Sequence, residues 1–330
     1  MALTYSQAGV DIERENRAIA ALAKQLVYKR KGLGAPLTDV GHYAGLIDFG
    51  EYALALTTDG VGSKVLIANE MKRWNTVGID CIAMNVNDLL AMGIEPLAFV
   101  DYIAIQEPNN EIMKQIGEGL AKGAEISRMT IVGGETATLP DVINGFDLAG
   151  TCLGMVKKED IITGERIEIG DAIIGLPSNG VHSNGYSLVR RIIKDSGFSY
   201  NDPFPYNKDT TIGDELLIPT RIYMEILDAA QKFDIHGLAH ITGSGLLKLH
   251  RITKLGFDIR DPLPPQPVFK FLQEEGDVED VEMYRTFNMG IGFVVVVPQS
   301  EAENASKMMA GQIVGEIVDE GIFIKGVELK

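Results

Sequence analysis

The sequence predicts an α+β protein of two domains, and three observations carry that prediction. Short apolar runs rich in β-forming residues recur at Tyr52 to Thr57, Leu97 to Ile105, Thr130 to Gly133 and Phe146 to Val156, with segments of helical apolar spacing between them. A polar, glycine-bounded stretch without helical period, Gly164-Glu165-Arg166-Ile167-Glu168-Ile169-Gly170-Asp171, then breaks the pattern before a second series of strands and helices begins. The 330 residues give enough chain for two cores, and a hydrophobic content of 45% argues against disorder. These observations divide the chain into a domain over 1–163 and a second over 164–330.

Taken in order, apolar spacing predicts a helix from Asp11 to about Tyr28, and the glycine-rich segment from Gly32 to Gly50 reads as a long mobile loop. Helices are predicted at about Thr76 to Met92 and Asn110 to Arg128, so the first domain becomes a small sheet with helices packed on it. The strands at Tyr52 to Thr57 and Leu97 to Ile105 are apolar on both faces, more than two covering helices can bury, which predicts that a second copy covers the open face. The second domain opens with a strand at Ala172 to Leu176, a loop from Pro177 to Asn184 and a helix from Gly185 to Asp195. After a polar insertion at Tyr200 to Tyr206, a helix is predicted near Pro219, with strands at Leu238 to Ile241, Phe293 to Val297 and Ile313 to Val318.

Composition narrows the function. The net charge of −16 argues against a nucleic-acid partner, because a phosphate backbone needs a basic footprint and the one dense basic run is Lys29-Arg30-Lys31. No apolar run approaches the roughly 18 to 20 residues a membrane helix requires. The two cysteines, Cys81 and Cys152, lie in apolar surroundings without a CxxC partner, which points to reduced core thiols in the cytoplasm.

The chemistry concentrates in Thr58-Asp59-Gly60-Val61-Gly62-Ser63-Lys64, where a strand ends in a carboxylate, two glycines, a hydroxyl and an amine. Glycines admit close approach of backbone N–H groups to a phosphate, a lysine adds positive charge, and an aspartate holds the Mg²⁺ that accompanies a nucleotide. The spacing is not that of a Walker A loop, and a hairpin-like turn with a solvated Asp and Lys is the alternative reading. Asn85 and Asp88 share a helix face, and Glu135 follows a short strand in Ile131-Val132-Gly133-Gly134-Glu135-Thr136. Asp59, Asp88 and Glu135 thus supply oxygen ligands for a hard cation wherever those ends converge. In the second half, His182-Ser183-Asn184-Gly185 and His240-Ile241-Thr242-Gly243-Ser244-Gly245 each follow a strand and open a helix, a setting that favours an anion. For both histidines a structural role, hydrogen-bonded to backbone, stands beside the functional one.

Seven motifs occur in one order along nearly the whole chain: Ala8-Gly9-Val10-Asp11-Ile12, the segment Thr58 to Lys64, Val86-Asn87-Asp88, Gly133-Gly134-Glu135-Thr136, His182-Ser183-Asn184-Gly185-Tyr186-Ser187, His240 to Gly245, and Tyr284-Arg285-Thr286-Phe287-Asn288-Met289-Gly290. Together they resemble the phosphoribosylformylglycinamidine cyclo-ligases, the aminoimidazole ribonucleotide synthetase family of purine biosynthesis. Departures from the family pattern are His42 and Tyr43 in a normally more glycine-rich run, Ser63 where threonine is common, and Ser244 in place of a glycine.

The resemblance implies an enzyme that uses ATP and Mg²⁺ to cyclise formylglycinamidine ribonucleotide, acting as a homodimer whose N-terminal sheets join into a barrel, with an α/β sandwich as the C-terminal, substrate-binding domain. It implies that Gly32, Gly34, Asp59, Gly60, Gly62, Ser63, Lys64, Asn87, Gly133 and Gly134 hold the nucleotide, and that Ser183, Asn184, Gly185, Thr242 and Gly243 hold the substrate. Asp59, Asp88 and Glu135 become the metal ligands, and Lys64, His182 and His240 the catalytic residues. The alternatives are another ATP-using member of the same superfamily, such as a formylglycinamidine ribonucleotide synthetase-like or selenophosphate synthetase-like protein, or a non-catalytic nucleotide-binding scaffold.

Overall fold

The computed structural model describes residues 4, 5, 8, 9, 12–38 and 41–329, so Val10 and Asp11 of the first motif lie outside the described residues. Helix α1 (Ile12–Ala23) leads to a first sheet built from β1 (Gly45–Phe49), β2 (Tyr52–Gly60), β3 (Glu95–Ile105), β4 (Thr130–Thr138) and β5 (Phe146–Lys157). Its order is β1-β2-β5-β3-β4, antiparallel except for the β3/β4 pair. The sheet has five strands rather than the four expected, because the segment read as a mobile loop contributes β1, whose outer edge is bridged by Pro36 opposite Ile47.

Helices α2 (Lys64–Met71), α3 (Val77–Leu90) and α4 (Asn110–Ile126) complete this half. Alternation along β2 turns Ala53, Ala55 and Thr57 toward the helices, and Phe99 of β3 is buried on that same face. α3 is buried nearly all round, the mark of a central helix. It packs so closely on α4 that glycines are required: a Cβ on Gly119 would stand 2.5 Å from the Asn75 carbonyl oxygen, and one on Gly78 would overlap the α4 backbone at Ile116 to Leu120. The opposite face of the sheet is open and apolar. Leu56, Val100 and Tyr102 are exposed there, and Leu56 and Leu54 pair with half-buried Leu153 and Met155 on β5.

The second half contains β6 (Ala172–Pro177), α5 (Tyr186–Ser196), β7 (Pro203–Phe204), β8 (Asn207–Thr211), α6 (Ile212–Leu216), α7 (Glu225–Ala230), β9 (Gly237–His240), β10 (Gly256–Ile259), α8 (Pro267–Gly276), α9 (Asp280–Thr286), β11 (Ile291–Val297), α10 (Ala302–Met308), β12 (Gln312–Val318), β13 (Ile322–Ile324) and β14 (Val327–Glu328). Seven of its strands form one mixed sheet, β14-β13-β10-β12-β6-β11-β9, and β7 and β8 form a separate hairpin. Every residue of β11 is buried, so both faces of this sheet are covered where β11 runs. The helix predicted near Pro219 starts later, at Glu225, because residues 218–223 run as coil against the first domain.

The α3–α4 crossing generates a prediction. Gly78→Ala forces a methyl group into backbone that cannot yield and should destabilise the protein by about 1 to 3 kcal/mol, the usual cost of overpacking. Denaturant unfolding of the variant at wild-type stability would show that the helices separate freely.

Candidate active site at the domain seam

The polar residues of α3 divide into those that fasten the two halves together and those that face the seam's opening. Asp80 is fully buried: its Oδ1 accepts from the Thr220 amide (2.8 Å) and hydroxyl (2.7 Å), and its carboxylate pairs with Lys64. Two turns on, Asn87 Nδ2 donates to the Arg221 carbonyl (2.8 Å) while its Oδ1 accepts from the Tyr223 amide (3.2 Å). Asn85 stays within the first half, with its amide on the carbonyls of Asp59 (3.1 Å) and Cys81 (2.9 Å), and so ties the end of β2 to α3.

That tie brings two of the predicted carboxylates together. Asp59 ends β2 with Oδ1 on its neighbour's amide, Gly60, at 2.7 Å. Burial, then the charge of nearby Asp88, raises its pKa above the ordinary carboxylate value. Asp88 Oδ1 contacts His240 Nδ1 at 2.9 Å across the seam. The orientation of Asn87, fixed by its two backbone partners, points an N–H at His240 Nε2 (3.4 Å), so the imidazole proton resides on Nδ1 and is donated to Asp88. Phe293 stacks under the ring.

Around this cluster stand Tyr43, which the sequence marks only as a departure from the family pattern, and two basic residues that it does not single out. Tyr43 is buried with its hydroxyl beside Asp88 and the His240 backbone, and the Arg251 guanidinium lies 4.9 Å over its ring. Lys248 occupies the same 3₁₀ turn (Gly245–Arg251); burial lowers its pKa, opposed by the charges of Asp88 and Asp59. Lys248 and Arg251 are three apart, which places them on one side of a 3₁₀ turn. No motif signals them, since the turn follows the glycine loop without a distinctive pattern.

The first histidine loop approaches from the second domain, and Gly62 of the first domain abuts the Ser183 carbonyl. His182 adopts a left-handed conformation (φ 65°) and is buried; its Nε2 accepts from the Asn179 amide (3.2 Å), and its Nδ1 has no partner among the described residues. Burial, then the coulombic opposition of His240, Lys64 and Arg221 to a charged ring, holds its pKa well below the usual value. Ser183 lies under the Thr220 hydroxyl (3.4 Å). Asn184 faces Gly243, and the left-handed Gly185 opens α5 where a Cβ would collide with the Phe287 ring. Thr242 is buried, and Ser244 holds φ 80°, a conformation that favours glycine.

Other predicted residues sit apart. Glu135 lies on the exposed edge strand β4, and the row Gly60-Ala149-Tyr102-Glu135 crosses three strand spacings, roughly 14 Å of sheet. Gly133 and Gly134 share that edge, with Gly134 pressed on the Asp101 carboxylate. The expected convergence of three carboxylates is therefore reduced to Asp59 and Asp88 within one chain, and no group of three metal-binding side chains forms among the described residues. Gly34 donates to the Asp48 carbonyl (2.8 Å), and Gly32 precedes it beside β1. Asp48 pairs with Ala53, six residues or about 20 Å along β2 from Asp59. Ser63 caps α2 without a side-chain bond. Lys64 departs most from expectation, for its ammonium is sealed in the seam rather than presented to a phosphate.

The Asp59–Asp88 pair fits a hard divalent cation. Both groups are carboxylates, each has one oxygen free of hydrogen bonds among the described residues, and their crowding is relieved by positive charge. The raised pKa fixes a sign. A carboxyl that binds its proton more tightly folded than unfolded contributes stability that is full below the ordinary carboxylate range and lost as pH rises through the folded value. Asp59→Asn should therefore raise Tm at about pH 7 and lose that advantage at about pH 3, below the unfolded pKa. Calorimetry showing a lower Tm for the variant at neutral pH would contradict this.

Comparison with known proteins agrees with this architecture. The family model described as AIR synthase related protein, N-terminal domain, matches residues 41–156, and that of the C-terminal domain matches residues 168–326. The chain is 69% identical to the phosphoribosylformylglycinamidine cyclo-ligase of Methanococcoides burtonii over 99% of this chain and 98% of that one, and 49% identical to that of Thermococcus kodakarensis over 99% of each. Among solved structures it is similar in fold to the thiamine monophosphate kinase of Aquifex aeolicus (TM-score 0.66, 16% identity, 96% and 98% of the two chains). It is likewise similar to the hydrogenase maturation protein HypE (TM-score 0.60, 16% identity, 83% and 82%). With both family domains present in order, and relatives aligned end to end, the chain belongs to the AIR synthase related protein family.

Proposed function

We propose that this chain is an ATP-dependent ligase of purine biosynthesis that cyclises formylglycinamidine ribonucleotide to 5-aminoimidazole ribonucleotide, releasing ADP and phosphate. The observation that carries this reading is identity of 69% over essentially the full length of a phosphoribosylformylglycinamidine cyclo-ligase. Activation consists of phosphoryl transfer from ATP to the formyl amide oxygen; the amidine nitrogen then attacks the activated carbon and phosphate departs. Mg²⁺ held by Asp59 and Asp88 would supply neutralising charge to the phosphates.

The chain's own residues divide the remaining work. Gly62 and the Ser183-Asn184-Gly185 loop meet where two helix N-termini open, and their amides suit an anionic phosphate. Of the two histidines, His240 is the one oriented by a carboxylate, its Nδ1 held on Asp88 Oδ1, and it is assigned as the proton acceptor for ring closure. His182 has no carboxylate partner among the described residues, and burial, then its coulombic neighbours, disfavours its protonation. Thr242 and Gly243 extend the loop beside Asn184 and complete the substrate wall. Glu135, Gly133 and Gly134 on the β4 edge become available to a site only through a second copy.

We place the active form as a homodimer in the cytoplasm. The open apolar face around Leu56, Val100 and Leu153 favours burial against a second copy, with the N-terminal sheets joined. The two free, buried cysteines suit a reducing compartment. No helix among the described residues is long and apolar enough to cross a membrane.

Incubation of the purified protein with formylglycinamidine ribonucleotide, ATP and Mg²⁺ should yield the aminoimidazole product, and Asp59→Asn should lower the rate by about 10²-fold or more, in the range seen when one transition-state charge contact is lost. ATP hydrolysis without that product would refute the substrate assignment. Phe99 faces the helices, so the interface probe is Leu56→Asp on the open face. Sedimentation should show a wild-type dimer and a dissociated variant; a fully active wild-type monomer would rule the assembly out.

A further inference from the structure

Lys64 shares with Asp80 complete burial among the charged side chains of the described residues, and the proposed reaction leaves it without a task. It begins α2 immediately after Gly62 and Ser63, yet its ammonium is fully buried against Asp80 and the second domain. Its Nζ donates to Asp80 Oδ1 (3.0 Å), the His182 carbonyl (2.9 Å) and the Ile218 carbonyl (2.8 Å), which uses all three protons. The Tyr186 ring lies 5.6 Å away and closes the remaining side. Asp80 in turn holds Thr220 by amide and hydroxyl. One ion pair from the first domain therefore grips two separate segments of the second, the left-handed His182 and the coil at 218–220.

We propose that Lys64 and Asp80 are positioning residues that lock the domain seam and hold the His182 loop through its carbonyl, and that Lys64 is not a ligand of the nucleotide. A lysine with every proton committed has none to give a phosphate. Withdrawing it would strand a carboxylate and two carbonyls in the interior. The lock also explains how His182 keeps a conformation that non-glycine residues rarely adopt: its carbonyl is pinned by Lys64 and its ring by the Asn179 amide. The seam-lock proposal rests on the cyclo-ligase reading only for its rate measurement.

The test uses the full-length protein as Lys64→Met and as the double variant Lys64→Met/Asp80→Asn, which removes both charges and keeps an acceptor for Thr220. Should Lys64→Met fail to fold because of its stranded carboxylate, the double variant carries the measurements. ATP-analogue affinity by calorimetry should stay within about threefold of wild type, whereas loss of a charge-assisted phosphate contact would weaken it by about tenfold or more. With five histidines in the chain, the ring signals of ¹³C-labelled histidine can be separated, and a His182→Gln sample identifies its own. That signal should move in the double variant while those of His236 and His250 stay in place. Turnover should fall at least about tenfold with KM for ATP unchanged, a factor equal to about 1.4 kcal/mol. Tenfold weaker nucleotide binding, or an unmoved His182 signal, overturns the proposal; if neither occurs but no product forms in wild type, it is the cyclo-ligase assignment that fails.

Discussion

The buried charge pair between Lys64 and Asp80 is the constraint on which the site depends. Two charges are withdrawn from water at the contact between domains, and such a pair survives only where each remaining proton and lone pair finds a partner. Here the partners are backbone groups of the second domain, at His182, Ile218 and Thr220. Burial lowers the lysine's pKa and the aspartate opposes that shift, so the pair holds its charges only as a pair. Breaking it from one side costs about 3 to 5 kcal/mol, comparable with much of a domain's net stability. The seam is therefore specified far more sharply than apolar contact alone would specify it.

From that fixed seam the reactive geometry follows. α3 cannot rotate, because Asp80 and Asn87 are both bonded to the coil at 220–223, and Asp88 is thereby aimed at His240. Asn85 performs the same service on the other side by holding the Asp59 carbonyl. Two like charges, Asp59 and Asp88, are thus kept near each other against their repulsion, which adds to burial in raising the pKa of Asp59. A cation is the natural relief. Lys248 from the second domain already contributes positive charge to the cluster.

Much of this was legible in the sequence, for reasons that differ by residue. Strand alternation and the glycine-rich turn located Asp59, and strand-to-helix loops located His182 and His240, because local periodicity encodes where elements end. Apolar content predicted an open sheet face, but the face of Phe99 could not be read without register, and a bulge in β3 between Pro96 and Ala98 sets it. Lys64 has the appearance of a phosphate ligand in one dimension, as a lysine after glycines. Its true partner Asp80 lies 16 residues on, inside an apolar helix, where a charged residue is an unexplained cost until its partner is seen. Glu135 resembled the other carboxylates locally, yet strand order, a non-local property, carries it to the sheet's far edge.

The two loops that meet α3 share a further property, and it links conformational strain to the placement of the site. His182 and Ser244 both hold left-handed backbone, at φ 65° and 80°, in positions where a glycine would be unstrained. Such residues cost on the order of 1 to 3 kcal/mol each and persist only where their surroundings overdetermine them. For His182 the surroundings are the Lys64 contact and the Asn179 amide; for Ser244 they include Gly245, whose Cβ-less backbone lies against the Tyr284 carbonyl. Both strained residues border glycine-containing turns that open a helix toward the seam, α5 in one case and the 3₁₀ turn bearing Lys248 in the other. The strain thus sits at the turns whose backbone amides the proposed function gives to a phosphate, and the interdomain charge pair holds the His182 carbonyl within that arrangement.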